Sequence, residues 1–469
     1  MLGTVLIAIL VLALTGALST WQHRRSMVLE LRLLTSQRIS AKNRRFSLFR
    51  AATLMIAALM CSGNLFAYSV LTHEEIVDLL WTSEIRPLLL QRFPGLTEEQ
   101  IREAHAYAYG GSVIQDLGYY PFGDKQFSNL THYVRSGDFV SELILESQDS
   151  NEYAFALGAL SHYASDIAGH PAINQAVAIA YPKLRAKFGR SVRYAQDKTA
   201  HLKTEFGFDT LQVAKNRYAS QQYHDFVGFK VSKPLLERAF TAVYGLELKD
   251  VLQDEDLAIG SYRFFISSMI PRMTQVALES HKRDLIRETP DFAKKKFLYR
   301  LSRSDYEREW GKTYTKPGAG TRILATLLRF IPKVGPLKGL GFNNPTPQTE
   351  DMYITSINLT TDHYRAFLEE ERTHKLVLPN CDLDSGELTK AAEYSLADES
   401  YASLLADLSA NTFNLTSPQL RDNILEFYSD KSLPIETKRD AARWQKVITD
   451  LDQLKSAPLP PHVLVSPTH

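Results

Sequence analysis

Residues 149–170 read DSNEYAFALGALSHYASDIAGH, and this stretch decides the fold class. Asp149 followed three residues later by Glu152 is a helix-start signature, and the apolar run after it extends through Ala168 to Gly169. Ala154, Ala156, Gly158, Ala159, Ser161 and Ala164 give this helix a small-residue surface that lets neighbouring helices approach closely. Along it His162, Asp166 and His170 sit four apart, so three ligand-type side chains share one helical face. His170 falls at the helix end, before Pro171.

Working outward, Thr72-x-x-Glu75 reads as a capping box before the apolar stretch Ile76 to Trp81. Thr97-x-x-Gln100 caps a second helix running toward Gly110-Gly111. No stretch has the period-2 alternation of strands separated by turns, so the domain is expected to be all-α. Between the second and third helices, residues 117–123 form a loop rich in aromatics and breakers.

The histidines concentrate in the same region: six of 13 fall within residues 68–205. A lone helical histidine is ordinarily a surface or satisfied core residue. Here a second i, i+4 pair, His201-x-x-x-Glu205, repeats the geometry of His162 and Asp166. Asp116 and His132 flank the aromatic loop, and His73 lies one turn into the first helix. Zinc binds imidazole nitrogen and carboxylate oxygen at about 2.0–2.2 Å, and such pairs hold both within reach. The cluster as a whole therefore reads as a metal site. His105 has no partner of this kind and reads as a core or outer-shell histidine, while His224, His281, His363 and His374 carry no such pattern.

Composition narrows the class further. A chain of 469 residues is too long for one ordinary core and fits two or three domains. With 44% apolar and 23% charged residues it is neither disordered nor a polytopic transporter. Lys and Arg number 54 against 53 Asp and Glu, so no global field draws in long nucleic acid. Two cysteines exclude a disulfide scaffold and an all-cysteine metal site.

The N-terminal 67 residues are expected to lie outside the fold. Residues 2–18 are an uncharged apolar run barely long enough to span a bilayer. Basic residues follow, then a second apolar run, Ala51 to Met60, and Asn64-Leu65-Phe66-Ala67. Basic region, short apolar core and terminal small residue describe a signal peptide cleaved after Ala67, leaving Tyr68 as the mature N-terminus. Export, periplasmic or secreted, is the expected localisation. Residues 2–18 are either upstream of a start at Met27 or, as the alternative, a membrane anchor. Met60 before Cys61 does not favour a lipid anchor, and Cys381 is then the one cysteine of the mature chain.

The ordered set Tyr68, His73, Asp116, His132, His162-x-x-x-Asp166, His170, His201-x-x-x-Glu205 resembles the zinc-dependent phospholipase C and single-strand nuclease superfamily, over about residues 68–210 and toward 285. The final Glu makes it most similar to the phospholipase C branch. The resemblance implies an exported all-helical bundle with three zincs. It assigns Asp116, His132, His162 and Asp166 to the first, and His170, His201 and Glu205 to the second. The third would take the Tyr68 amine and carbonyl, His73 and Asp166, with Asp166 bridging two metals. The implied reaction is phosphodiester hydrolysis by a metal-activated water, with Asp116 orienting it or taking its proton. Tyr68 replaces the family's usual Trp, and His170 follows Asp166 more closely than is typical, so a different helix break is expected there. Leu117 and Asn129 occupy positions where choline-binding relatives carry aromatics, so a cation–π cage is not supported at those positions. Tyr119, Tyr120, Phe122 and Phe127 are candidates for another substrate wall, and such aromatics could equally stack a base.

The second half carries no recognisable chemistry. Helices are expected over 206–217, 233–244 and 256–288, completing a catalytic region of 68–300. A Gly/Pro-rich segment, 301–350, connects it to a helical region, 351–455, and a Pro-rich tail, 456–469. Within the connection, residues 322–333 mix apolar and basic residues, read as a core helix or as a membrane-surface contact. The expected function is a zinc-dependent phosphodiesterase acting on phospholipid or another phosphodiester, giving diacylglycerol and a phosphorylated head group from a phospholipid. The alternatives are a nuclease or 3′-nucleotidase on the same site, and an inactive metal-binding or membrane-associated structural protein.

Overall fold

A computed structural model describes residues 70–214, 228–270, 273, 274, 277 and 342–458. Tyr68, the signal segment, His224, His281, residues 301–341 and 459–469 lie outside the described residues. The described residues belong to one compact unit and are all-α, with no strand among them. None of their helices is long and apolar enough to cross a membrane.

The core is organised by one long helix. In chain order the N-terminal elements are α1 (Val70–Leu80), α2 (Arg86–Arg92), α3 (Glu98–Gly111), a 3₁₀ turn (Ile114–Tyr119), α4 (Lys125–Tyr133) and α5 (Ser136–Leu145). Next come α6 (Ser150–Ala180), α7 (Pro182–Phe188), α8 (Lys198–Ala214), α9 (Lys233–Tyr244), α10 (Leu248–Val251) and α11 (Glu255–Phe264). After the connection follow α12 (Pro347–Arg372), α13 (Ser395–Ala410), α14 (Pro418–Phe427) and α15 (Ala441–Ser456). Helix α6, 31 residues and about 46 Å long, packs along α3 and α12 more extensively than any other pair of elements.

Its small residues allow this. A Cβ on Gly158 would stand 2.0 Å from the Ala108 carbonyl oxygen of α3, so the two backbones meet where only hydrogen fits. Asp149 caps α6 by accepting hydrogen bonds from the Asn151 and Glu152 N–H groups. Thr97 and Gln100 close the expected capping box on α3.

Three expectations about local structure need correction. Helix α6 does not end at Gly169; it continues through Pro171 to Ala180, and His170 sits buried inside it. Proline has no N–H for the Ile167 carbonyl and ordinarily costs a helix interior about 3 kcal/mol. Burial holds the helix through it: Ile173, Asn174, Ala176, Val177 and Ala178 beyond the proline are all core residues. Thr72 is not an N-cap, because α1 already includes Val70. Its hydroxyl instead bonds the Asp209 carboxylate of α8 at 2.8 Å and the Tyr353 hydroxyl of α12 at 2.5 Å, tying three helices together. The supposed aromatic loop begins as the 3₁₀ turn, which fixes Asp116 through its N–H bond to the Val113 carbonyl at 3.1 Å.

The C-terminal helices belong to the same body as the rest. Tyr364 of α12 donates to the Leu157 carbonyl of α6 at 2.8 Å, and α13 packs on α4. Between α12 and α13, residues 378–394 run irregularly, apart from one bridge between Cys381 and Leu388.

Candidate metal centre

Five elements converge on one buried cluster. α6 presents His162, Asp166 and His170 from one face, the 3₁₀ turn presents Asp116, and the last turn of α4 presents His132. α1 contributes His73, and the first turns of α8 contribute His201 and Glu205. All eight residues are at most 1% exposed.

Asp166 is the hub. Its Oδ2 lies 3.1 Å from His162 Nε2 and 3.5 Å from His132 Nε2, and its Oδ1 lies 3.6 Å from His73 Nε2 and 3.8 Å from His170 Nε2. Each oxygen thus faces a different pair of imidazoles. Asp116 Oδ1 stands 3.3 Å from His132 Nε2, while Glu205 Oε1 is 2.8 Å from His201 Nε2 and 3.6 Å from His170 Nε2. Three sets result: His73, His162 and Asp166; Asp116, His132 and His162; His170, His201 and Glu205. Within each, the donor atoms lie within 4.8 Å of one another. Two ligands on one zinc stand about 4 Å apart or less, so the donor spacing within each set is near that of a metal site. His162, common to the first two sets, has one Nε2 lone pair and serves one ion.

Backbone carbonyls orient the imidazoles. His132 Nδ1 bonds the Ser128 carbonyl at 2.8 Å, His162 Nδ1 the Ser112 carbonyl at 3.0 Å, and His170 Nδ1 the Leu383 carbonyl at 2.8 Å. A carbonyl only accepts, so each Nδ1 carries the proton and each Nε2 turns its lone pair into the cluster. That is the tautomer a metal ligand needs.

The carboxylates test the fit. Both oxygens of Asp116, Asp166 and Glu205, and both ring nitrogens of His201, are buried without a hydrogen bond of ordinary geometry. Buried polar atoms left this way cost several kcal/mol in an apolar setting, and groups of them at one place call for a cation. The donors are nitrogen and oxygen with no sulfur, which suits zinc. The residues present fit the metal.

Electrostatics divide the cluster. Burial pushes Glu205 well above the usual carboxylate range and pushes His201 down to about 4, so this pair is held neutral. At the hub, burial raises Asp166 but the imidazoles of His162 and His170 outweigh it, and its carboxyl lies well below its ordinary value. Burial lowers His132, but the adjacent Asp116 and Asp166 carboxylates outweigh it and raise it. Burial and the neighbouring His162 ring, stacked at 4.3 Å, hold His73 well below its usual value.

The aromatic candidates separate. Tyr119 lies beside the cluster, its ring 6.0 Å from that of His132. Tyr120 packs edge-on to Tyr262, Phe127 stacks on Phe240 in the core, and Phe122 is partly exposed on a left-handed backbone with φ of 67°. Tyr194, not singled out by the sequence reading, stands 5.5 Å from the His201 ring and 6.3 Å from that of Tyr119. Burial keeps both phenols protonated, hence donors. His105 is a satisfied core histidine, stacked on Trp81 at 3.7 Å with Nε2 3.1 Å from Asp78 Oδ1.

The second half, in which the sequence shows no recognisable chemistry, reaches the cluster all the same. Leu383 supplies the carbonyl that orients His170, and its N–H donates to the His132 carbonyl at 3.1 Å. Asp384, 3% exposed, places Oδ1 3.6 Å from His170 Nδ1. No motif signals a backbone carbonyl. The only available hint was the pair Asp382 and Asp384 beside Gly386, unremarkable in a surface loop.

Residues 72–253 match the family model described as zinc dependent phospholipase C. Residues 2–28 match a second family model, described only as a protein of unknown function. No curated protein matches the chain, and neither does any solved structure.

Proposed function

We propose that the protein hydrolyses phosphodiesters, with phospholipid as its substrate class, on the premise of the match of residues 72–253 to the zinc-dependent phospholipase C family model. The observation that carries this reading is the convergence of three nitrogen–oxygen sets on Asp166 with their carboxylate oxygens unpartnered. Asp116, His132, His162 and Asp166 would hold one zinc, and His170, His201 and Glu205 a second. His73 and Asp166 would hold a third together with the Tyr68 amine and carbonyl, which requires cleavage after Ala67 and hence export. Zinc supplies Lewis acidity toward phosphoryl oxygen and lowers the pKa of water.

The chain's own groups do the rest. The Nδ1–H bonds fix the imidazoles before substrate arrives, so no reorganisation is required during reaction. Asp116 accepts no hydrogen bond from the protein, which leaves it lone pairs to take a proton from the attacking water. Tyr119 and Tyr194, one beside each side of the cluster, donate to phosphoryl oxygens.

The test is zinc content and turnover on protein beginning at Tyr68, beside a version with one extra residue before it. About three zincs, falling to about two with the extension, with hydrolysis of phosphatidylcholine or another phospholipid, is expected. Turnover of RNA or a 3′-nucleotide without phospholipid would replace this substrate class with the nuclease one. Absence of zinc from both proteins would sink the hydrolase reading.

A further inference from the structure

The turn at residues 380–386 lies outside the family-matched segment, yet it is fastened to that segment at nearly every residue. Asp138 N–H donates to Asn380 Oδ1 at 3.0 Å, and Ser136 Oγ both donates to the Cys381 carbonyl at 2.6 Å and accepts from the Cys381 N–H at 3.1 Å. Leu383 bonds two ligand-bearing elements at once, receiving from His170 Nδ1 and donating to the His132 carbonyl. Asn174, one turn beyond His170 on α6, donates to the Asp384 carbonyl at 2.9 Å. Gly386 closes the turn at φ of 76°, where a Cβ would lie 2.4 Å from the Ile167 carbonyl oxygen. That carbonyl is the one Pro171 leaves without its helical N–H partner. The proline and the glycine together let the turn settle on α6 between Asp166 and His170.

Behind His170 the carboxylate of Asp384 is itself held in place. Tyr133 donates to its Oδ2 at 2.8 Å, and Tyr394 donates to the same oxygen. Two phenols on one oxygen leave Oδ1 directed toward the imidazole, 3.6 Å from Nδ1. A negative charge behind a protonated Nδ1 increases the basicity of Nε2, and outer carboxylates of this kind typically change metal affinity by about 10–100-fold.

We propose that Leu383 and Asp384 are positioning residues of the His170–His201–Glu205 metal set, so that tight zinc binding there depends on the C-terminal region. This rests on the metal-centre reading given above. The turn is thus part of the centre, acting through His170 and not touching substrate.

The test uses the full chain, stripped and reloaded, with zinc affinity measured by competition against a chromophoric chelator. Asp384→Asn and Asp384→Ala are compared with His201→Ala, which removes a ligand of the same set. Expected is a loss of about 10–100-fold at one zinc in the Asp384 variants, the same zinc that His201→Ala abolishes, with the others unchanged. In cobalt-loaded protein the visible band lost in His201→Ala should shift in Asp384→Asn. Should Asp384→Ala not fold, Tyr394→Phe removes only one hydroxyl and should weaken the same zinc by less. Unchanged zinc affinity in every Asp384 and Tyr394 variant that folds, or a loss spread over all sites, would overturn the proposal. If His201→Ala itself binds zinc as wild type does, the metal-centre reading fails instead.

Discussion

Residues 72–253 and residues 342–458 both reach the buried histidines, but with different atoms. The first region supplies every one of the eight ligand-type side chains, plus the carbonyls of Ser112 and Ser128 that orient two of them. The second supplies a carbonyl, an N–H and an outer carboxylate, all at the turn 380–386. The difference is between groups that bind and groups that aim. Binding groups must be particular residue types at particular spacings. Most of the aiming groups are backbone atoms, which many sequences can supply once the packing is set; the Asp384 carboxylate is the side chain among them.

The largest effect that separates the two regions is expected at the hub. Asp166→Asn keeps the shape but removes the charge that faces four imidazoles. Phosphodiester turnover should fall by well over about 100-fold, beyond the range of an outer partner, and zinc content should drop. Full activity in this variant would dispose of the bridging role.

Next comes the packing that places α6. Gly158→Val sets atoms against the Ala108 carbonyl, 2.0 Å from an ideal Cβ. A loss of about 1–3 kcal/mol or more is expected, read by denaturant unfolding of the metal-free protein. Stability equal to wild type would show that α3 and α6 separate at little cost.

Protonation sharpens the contrast inside the binding region. Burial raises Glu205 in the metal-free fold. Its contribution to metal-free stability is therefore fully present below its unfolded value of about 4.3 and is lost as pH rises through its raised folded value. Glu205→Gln, permanently neutral, should gain stability relative to wild type as pH rises, measured by metal-free melting across pH. For the same reason zinc must displace a proton, and calorimetry in buffers of differing ionisation enthalpy should record proton release on zinc uptake that Glu205→Gln diminishes. A pH-independent difference between the two proteins would remove this account.

The smallest effect is a control outside the metal sets. Thr97→Ala breaks the capping box of α3 and should cost about 1 kcal/mol with zinc content unchanged. A change in zinc content would mean that α3 holds Ser112, and with it His162, less rigidly than the packing suggests.

Much of the fold and site was legible because it is written in side chains. The i, i+4 spacing of His162, Asp166 and His170 placed them on one face, and that face does point into the cluster. Thr97 and Asp149 announced helix starts through the hydroxyl and carboxylate that bond the first N–H groups. Pro171 misled, since local propensity ends a helix there while the burial of Ile173 to Ala178 carries it on. Thr72 misled for a related reason: the same hydroxyl that can cap a helix can also tie it to Asp209 and Tyr353. Tyr194 gave no local signal, because its nearness to His201 follows from the path between α7 and α8. Leu383 was beyond reach, because a carbonyl has no letter of its own.

The bond from His170 to Leu383 joins residues 213 apart in the chain. Such a contact forms only after long-range docking, and closing a long loop is among the slow steps of folding. During synthesis every ligand side chain leaves the ribosome well before the turn that steadies one of them. A growing chain that met zinc early would hold it on an imidazole still free to swing. On the positioning role proposed for Leu383 and Asp384, a chain broken off between α12 and α13 would carry all eight ligand side chains yet hold the zinc of the His170–His201–Glu205 set less tightly.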